Sequence, residues 1–198
     1  MTTSSTTQPA FLRPWLLWTL GFLAFPISGL AGTAVAGRVD SPVAAVLGGT
    51  VCGLVLGAGQ VLVSRGRLDP RWWVPATALG MGAGLLLGAV VVGYETSLSA
   101  LLVMGALSGL SLGAAQAVAL PSRTRLRWAW AAAMPVLWAL GWGATTLGGI
   151  RVENQFTVFG AYGALTFMAL SGLLLHCVLP VQAKTGRRSS AAPVGASS

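Results

Sequence analysis

Charged residues gather in short breaks along the chain. Between them lie six stretches free of Asp, Glu, Lys and Arg: Trp15 to Ala36, Val43 to Ser64, Trp72 to Gly93, Ser97 to Leu120, Trp128 to Gly149 and Phe156 to Leu179. At about 1.5 Å per residue, each reaches across a hydrocarbon core about 30 Å thick. The apolar residues run all round each segment instead of alternating, so the pattern predicts helices and excludes a β-barrel, whose spans are alternating runs of about 10 residues. The expected fold is an all-α integral membrane protein with six transmembrane helices. Residues 1–12 and 181–198 read as polar, disordered cytoplasmic tails, and residues 13–180 as the membrane domain. The first segment follows Arg13 like a signal peptide. It exceeds the usual h-region of about 7 to 15 residues and is expected to be retained.

The even-numbered segments carry the sharpest repeat. Gly49, Gly53, Gly57 and Gln60 recur at identical spacing as Gly105, Gly109, Gly113 and Gln116, and the sixth segment keeps the pattern only in part, as Ala164, Met168, Gly172 and Leu175. In the odd-numbered segments a Leu-Gly pair precedes a second glycine by eight residues, at Gly21 and Gly29, Gly80 and Gly88, and Gly141 and Gly149. The unit predicted is a two-helix hairpin present three times, over residues 13–64, 71–120 and 127–179. Units of two helices enter the membrane in the same direction, so the three copies are parallel repeats about an axis near the membrane normal. Glycine at every fourth position makes a smooth helix face, and in lipid close backbone approach supplies helix packing. Pro26 is expected to kink the first helix, and Pro75 to sit harmlessly in a first turn.

Composition removes whole classes of protein. Of 198 residues, 55% are hydrophobic and 8% charged, with mean hydropathy +0.76. That leaves too little polar surface to cover a water-soluble globule. The net charge of +8 is scattered in ones to threes between apolar segments, which argues against a nucleic-acid partner. The basic residues are asymmetric. Arg13, Arg65, Arg67, Arg71, Arg123, Arg125, Arg127, Lys184, Arg187 and Arg188 fall on one side, against Arg38 and Arg151 on the other. This bias predicts cytoplasmic termini in a bacterial plasma membrane. Trp15, Trp72 and Trp128, with Trp18, Trp73 and Trp130, follow the cytoplasmic arginines and are expected as interfacial anchors.

Candidate chemistry is sparse. Gln60 and Gln116 are the strongly polar side chains repeated at membrane depth, each on the glycine face of its helix. They would either lock helices together or bind a ligand. His176, one position past the glutamine register in the sixth segment, is a third candidate; a lone histidine cannot give bis-histidine haem ligation. Cys52 and Cys177 have no partner at metal or redox spacing and read as buried hydrophobes. Glu95 and Glu153 stand at the outer mouth. Ser28, Ser108, Ser111 and Ser171 have no base placed by a catalytic motif, so no enzyme, cofactor or metal is expected.

The series Gly-x-x-x-Gly-x-x-Gln, a short Arg-rich loop, Trp and Leu-Gly, at Gly53 to Gly80 and again at Gly109 to Gly141, resembles uncharacterised bacterial polytopic membrane proteins. The resemblance covers Gly49 to Gly149, about half the chain, and implies no activity. Six helices and cytoplasmic termini are also similar, in architecture alone, to substrate-binding subunits of energy-coupling-factor vitamin transporters. The function expected is a non-enzymatic packing or scaffold subunit of a membrane complex, partnered by lipids and by another membrane protein or a second copy. The alternative is a small-solute transport or binding component.

Overall fold

The computed structural model describes residues 11–122, 124, 126–152 and 157–179. Lys184, Arg187, Arg188, Arg123, Arg125, Glu153 and Phe156, and nearly all of both tails, lie outside them. Among the described residues every regular element is helical. The first span is α1 (Leu12–Leu20), a 3₁₀ turn (Gly21–Leu23) and α2 (Ala24–Ala36); α3 (Pro42–Ser64), α4 (Pro70–Val91), α5 (Leu98–Ala119), α6 (Arg127–Leu147) and α7 (Ala161–Val178) follow. Five spans are long and apolar enough to cross a membrane: Leu12–Ala36 and helices α3, α4, α5 and α7. Helix α6 matches them in length at 21 residues, but Trp128, Trp130, Trp138, Trp142 and Pro135 make it less apolar. Helical ladders satisfy the backbone internally, as hydrocarbon requires.

Local chemistry sets the helix starts. Ser41 and Ser97 accept hydrogen bonds from the backbone N–H groups of Ala44 and Ala100, and Asp69 from that of Arg71, so α3, α5 and α4 begin on side-chain caps. Pro42 and Pro70 occupy first-turn positions, where a missing N–H costs nothing. Because α4 starts at Pro70, Pro75 lies inside the helix rather than in its first turn, which corrects the sequence expectation. Pro26 lies in the first turn of α2, and the departure from α geometry comes just before it, at Gly21–Leu23. The last helix is shorter than expected. It begins at Ala161, and Thr157–Gly160 are non-helical yet deep in the protein, with Thr157 and Phe159 each 1% exposed.

Each span packs on the next along the chain, and α7 returns to α1, so the spans close into a ring. The core fills its interior with Phe25, Met81, Leu101, Met104, Met134 and Phe167, all buried. Leucine and valine cover the outside, as at Leu62, Leu79, Val118 and Leu147. Arg67, in the α3–α4 connection, reaches across the ring. Its Nη2 donates to the carbonyl oxygens of Leu175, at 3.1 Å, and Leu179. The Leu175 carbonyl also accepts from Leu179 N–H, at 2.8 Å, and a cation at the end of α7 complements the helix dipole. Burial lowers the Arg67 pKa from its ordinary value.

Candidate functional site: a glutamine–tryptophan centre

The glycine faces set the geometry. A Cβ at Gly53 would stand 2.6 Å from Thr77 O and 2.7 Å from Ala78 Cα. One at Gly109 would meet Met134 O, and Pro135 Cα at 2.9 Å. Gly49 likewise meets Met81 and Gly82, as Gly105 meets Trp138 and Ala139, and Gly57 meets Val74, as Gly113 meets Ala131. Thus α3 lies on α4 and α5 lies on α6 in one register, backbone against backbone. Continued to the helix starts, that register sets Trp73 opposite Gln60 and Trp130 opposite Gln116.

Both pairs are hydrogen-bonded. Trp73 Nε1 donates to Gln60 Oε1 at 2.9 Å, and Trp130 Nε1 to Gln116 Oε1 at 3.1 Å. The two glutamines also meet: Gln116 Nε2 donates to Gln60 Oε1 at 3.4 Å and to Thr77 Oγ1 at 3.0 Å. Thr77 Oγ1 in turn donates to Trp73 O at 2.8 Å. Gln60 and Gln116 are 1% and 0% exposed. Gln60 Oε1 receives two donors, which orients its amide and leaves Nε2 without an acceptor among the described residues.

The third sector is built differently. Leu175 stands in the glutamine register and has no side-chain acceptor, and Trp18 Nε1 donates to Ser171 Oγ at 3.0 Å. Trp18 and Trp73 each stand edge-on to Trp130, at 6.5 and 5.9 Å between ring centroids. Six side chains from α1, α3, α4, α5 and α6 therefore form one centre: Gln60, Gln116, Trp73, Trp130, Trp18 and Thr77. Its chemistry is mutual satisfaction of buried amides and indoles, which hydrocarbon would otherwise penalise by about 2 kcal/mol or more per group.

No family model matches the chain, and no curated protein or solved structure does either. Function must be argued from the geometry.

Several expected positions shift. Of the tryptophans expected at the interface, Trp72 and Trp128 are exposed, at 68% and 63%. Trp15 is half-buried and donates to Ala169 O on α7 at 2.8 Å. Trp18, Trp73 and Trp130 point inward, because helix neighbours and near-neighbours face different sides. His176 is half-buried at the end of α7 beside Phe11, away from the glutamines' hydrogen bonds. Cys52 is buried and donates to Ser28 Oγ, but Cys177 is exposed, contrary to expectation. The odd-helix alignment is also corrected. Ala24 meets Gly59 as Gly80 meets Ala115, and Gly32 meets Gly48 as Gly88 meets Met104. The counterpart of Gly80 is therefore Ala24, about one turn from Gly21; the register of α6 likewise sets Gly141 level with Gly84. Trp73, Trp130 and Thr77 were missed as site residues. The available signal was a tryptophan 13 or 14 residues after each glutamine.

Proposed function

We propose that the chain is a non-enzymatic, six-span integral protein of a bacterial plasma membrane, with both termini cytoplasmic, acting as a packing or scaffold subunit of a membrane complex. Its three hairpins are parallel repeats around a pseudo-threefold axis, with glycine zippers as the seams between them. The observation that carries this reading is the direct contact of Gln60 and Gln116, each also held by a tryptophan. A solute site would keep these amides open to water, whereas a packing element spends them on its own helices. Lipid and a partner protein or second copy meet the leucine and valine perimeter.

Purification from native membranes in mild detergent without crosslinker tests the assignment. A stoichiometric membrane partner, or a homo-oligomer by native mass spectrometry, is expected; a monomer with lipid alone would overturn it. External thiol labelling should reach a cysteine placed at Glu95 and spare one at Arg71, and the reverse would overturn the orientation. One observation favours the alternative of a small-solute component: Gln60 Nε2 is a buried donor with no acceptor among the described residues. Saturable uptake of a small polar solute into proteoliposomes, lost in Gln60→Leu, would establish that reading instead.

A further inference from the structure

Around the ring, α3 closes on α4 and α5 on α6 through three successive glycines in the middle of each helix. The seam between α7 and the first span is built with side chains. Gly172 receives Trp18 and Trp15 near the arginine-rich end, but farther along α7 carries Ala164 and Met168 where α3 has Gly49 and Gly53. Their side chains hold the backbones apart, and α2 and α7 barely touch. The opening is filled by Thr157–Phe159. A Cβ at Gly29 would lie 3.1 Å from Val158 Cγ1, one at Gly48 3.0 Å from Thr157 Cγ2, and one at Gly141 2.7 Å from Phe159 Cε1.

Phe159 is the central ring of an aromatic cluster. Its centroid lies 4.8 Å from Trp138, 5.0 Å from Phe25, 5.8 Å from Phe167 and 5.9 Å from Trp142. Every one of these neighbours is on a helix, whereas Phe159 is on the non-helical segment. The wall of the cluster also holds a polar group with nothing to do. Trp138 is 1% exposed, and its Nε1–H has no acceptor among the described residues. An indole N–H in hydrocarbon without an acceptor is costly, and phenylalanine offers none.

We propose that Phe159 occupies a binding slot for a lipid-soluble quinone head group, which enters from the bilayer through the α2/α7 seam when Thr157–Phe159 withdraws. A benzoquinone ring matches the six-membered ring it replaces, stacks among Phe25, Phe167 and Trp142, and presents a carbonyl oxygen to Trp138 Nε1–H. Its apolar tail stays in the seam, in contact with lipid. The slot is a binding site, and no redox step is assigned to it.

The test uses the full chain in lipid nanodiscs with duroquinone as probe and durene, the same ring without carbonyls, as control. Saturable duroquinone binding is expected, at least about tenfold tighter than durene, since one buried hydrogen bond separates them. Phe159→Ala removes the internal competitor and should tighten duroquinone binding, whereas Trp138→Phe should weaken it about tenfold while leaving durene unchanged. A disulfide between Gly29→Cys and Val158→Cys, in a chain with Cys52→Ala and Cys177→Ser, pins the segment in place. The oxidised form should not bind, and the same protein after reduction and desalting should. The disulfide-locked form compares one polypeptide with itself, so misfolding cannot mimic the result. Equal binding by the oxidised and reduced forms, equal binding of duroquinone and durene, or no saturable binding to Phe159→Ala would each overturn the proposal.

Discussion

The seam between α3 and α4 and the seam between α7 and the first span meet the same demand with different material. In the first, Gly49, Gly53 and Gly57 bring the backbones of two helices within touching distance through the middle of the seam. In the second, Gly172 meets the Trp18 and Trp15 side chains and Gly21 meets Met168, so side chains separate the helices, and Thr157–Phe159 fill the remainder. Lipid offers no hydrophobic force to close such a gap, because a chain methylene is as apolar as leucine. A missing glycine must therefore be answered by another part of the protein. The non-helical start of the last segment follows: residues expected to lengthen α7 are needed as filler.

That contrast can be broken most violently at the glycines. Gly53→Leu or Gly109→Leu places side-chain carbons where Thr77 O or Met134 O now stands, and backbone cannot yield as a flexible side chain can. Loss of folded protein is expected, or destabilisation beyond about 3 kcal/mol. Ala58→Leu and Ala114→Leu, on the exposed faces of the same helices, should change stability by less than about 0.5 kcal/mol. Thermal unfolding in detergent reads the difference, and equal effects at both sets of positions would refute the close-approach argument.

The wedge-filled seam should respond to removal rather than addition. Phe159→Ala leaves a hole among four aromatic rings, with a cost of about 3 kcal/mol or more, as for other buried aromatic truncations. Ala161→Ser, at an exposed position just beyond the wedge, should cost less than about 0.5 kcal/mol. If Phe159→Ala is silent in a chemical-denaturation series, the segment is not what holds the seam together. Arg67→Met tests the opposite end of α7. It strips two carbonyls of a charged partner and should cost about 1 to 2 kcal/mol, mostly as fraying of the last turn seen by hydrogen exchange.

Much of the ring was legible because its causes are local. Uncharged runs mark the spans, and small residues in register mark the faces that approach. Gln60 and Gln116 stood out because amides are rare at that depth. What they bind was not legible, since Trp73 and Trp130 belong to the following helices and their inward turn depends on which face of α4 and α6 meets the glycines. Thr77 and Ala78 lie on Gly53, which turns Trp73 toward the core and leaves Trp72 exposed. The wedge was hidden for a related reason. Thr157–Gly160 is as apolar as a helix start, and only the absence of glycine at Ala164 and Met168, weighed against α3, shows that a helix there would leave a gap.

The smallest effect separates the two glutamines. Equal repeats would give equal losses on replacement with leucine, but their hydrogen bonds differ. Gln116 makes three contacts, through Oε1 to Trp130 and through Nε2 to Gln60 and Thr77, whereas Gln60 only accepts, from Trp73 and Gln116. Gln60→Leu orphans two donors, yet it also removes a buried Nε2 that has no acceptor among the described residues. Gln116→Leu orphans the Trp130 indole and takes a donor from both Gln60 and Thr77, with no such relief. Buried amides within membranes contribute about 0.6 to 2 kcal/mol each. Gln60→Leu should therefore fall near the lower end of that range and Gln116→Leu near the upper, about 1 kcal/mol apart. The double variant separates contact from coincidence. If the amides interact, its cost falls short of the sum of the single variants, because the bond between them is counted once. Strict additivity in the unfolding free energies would mean that the Gln60–Gln116 contact contributes nothing, leaving the tryptophans as the sole partners of each amide.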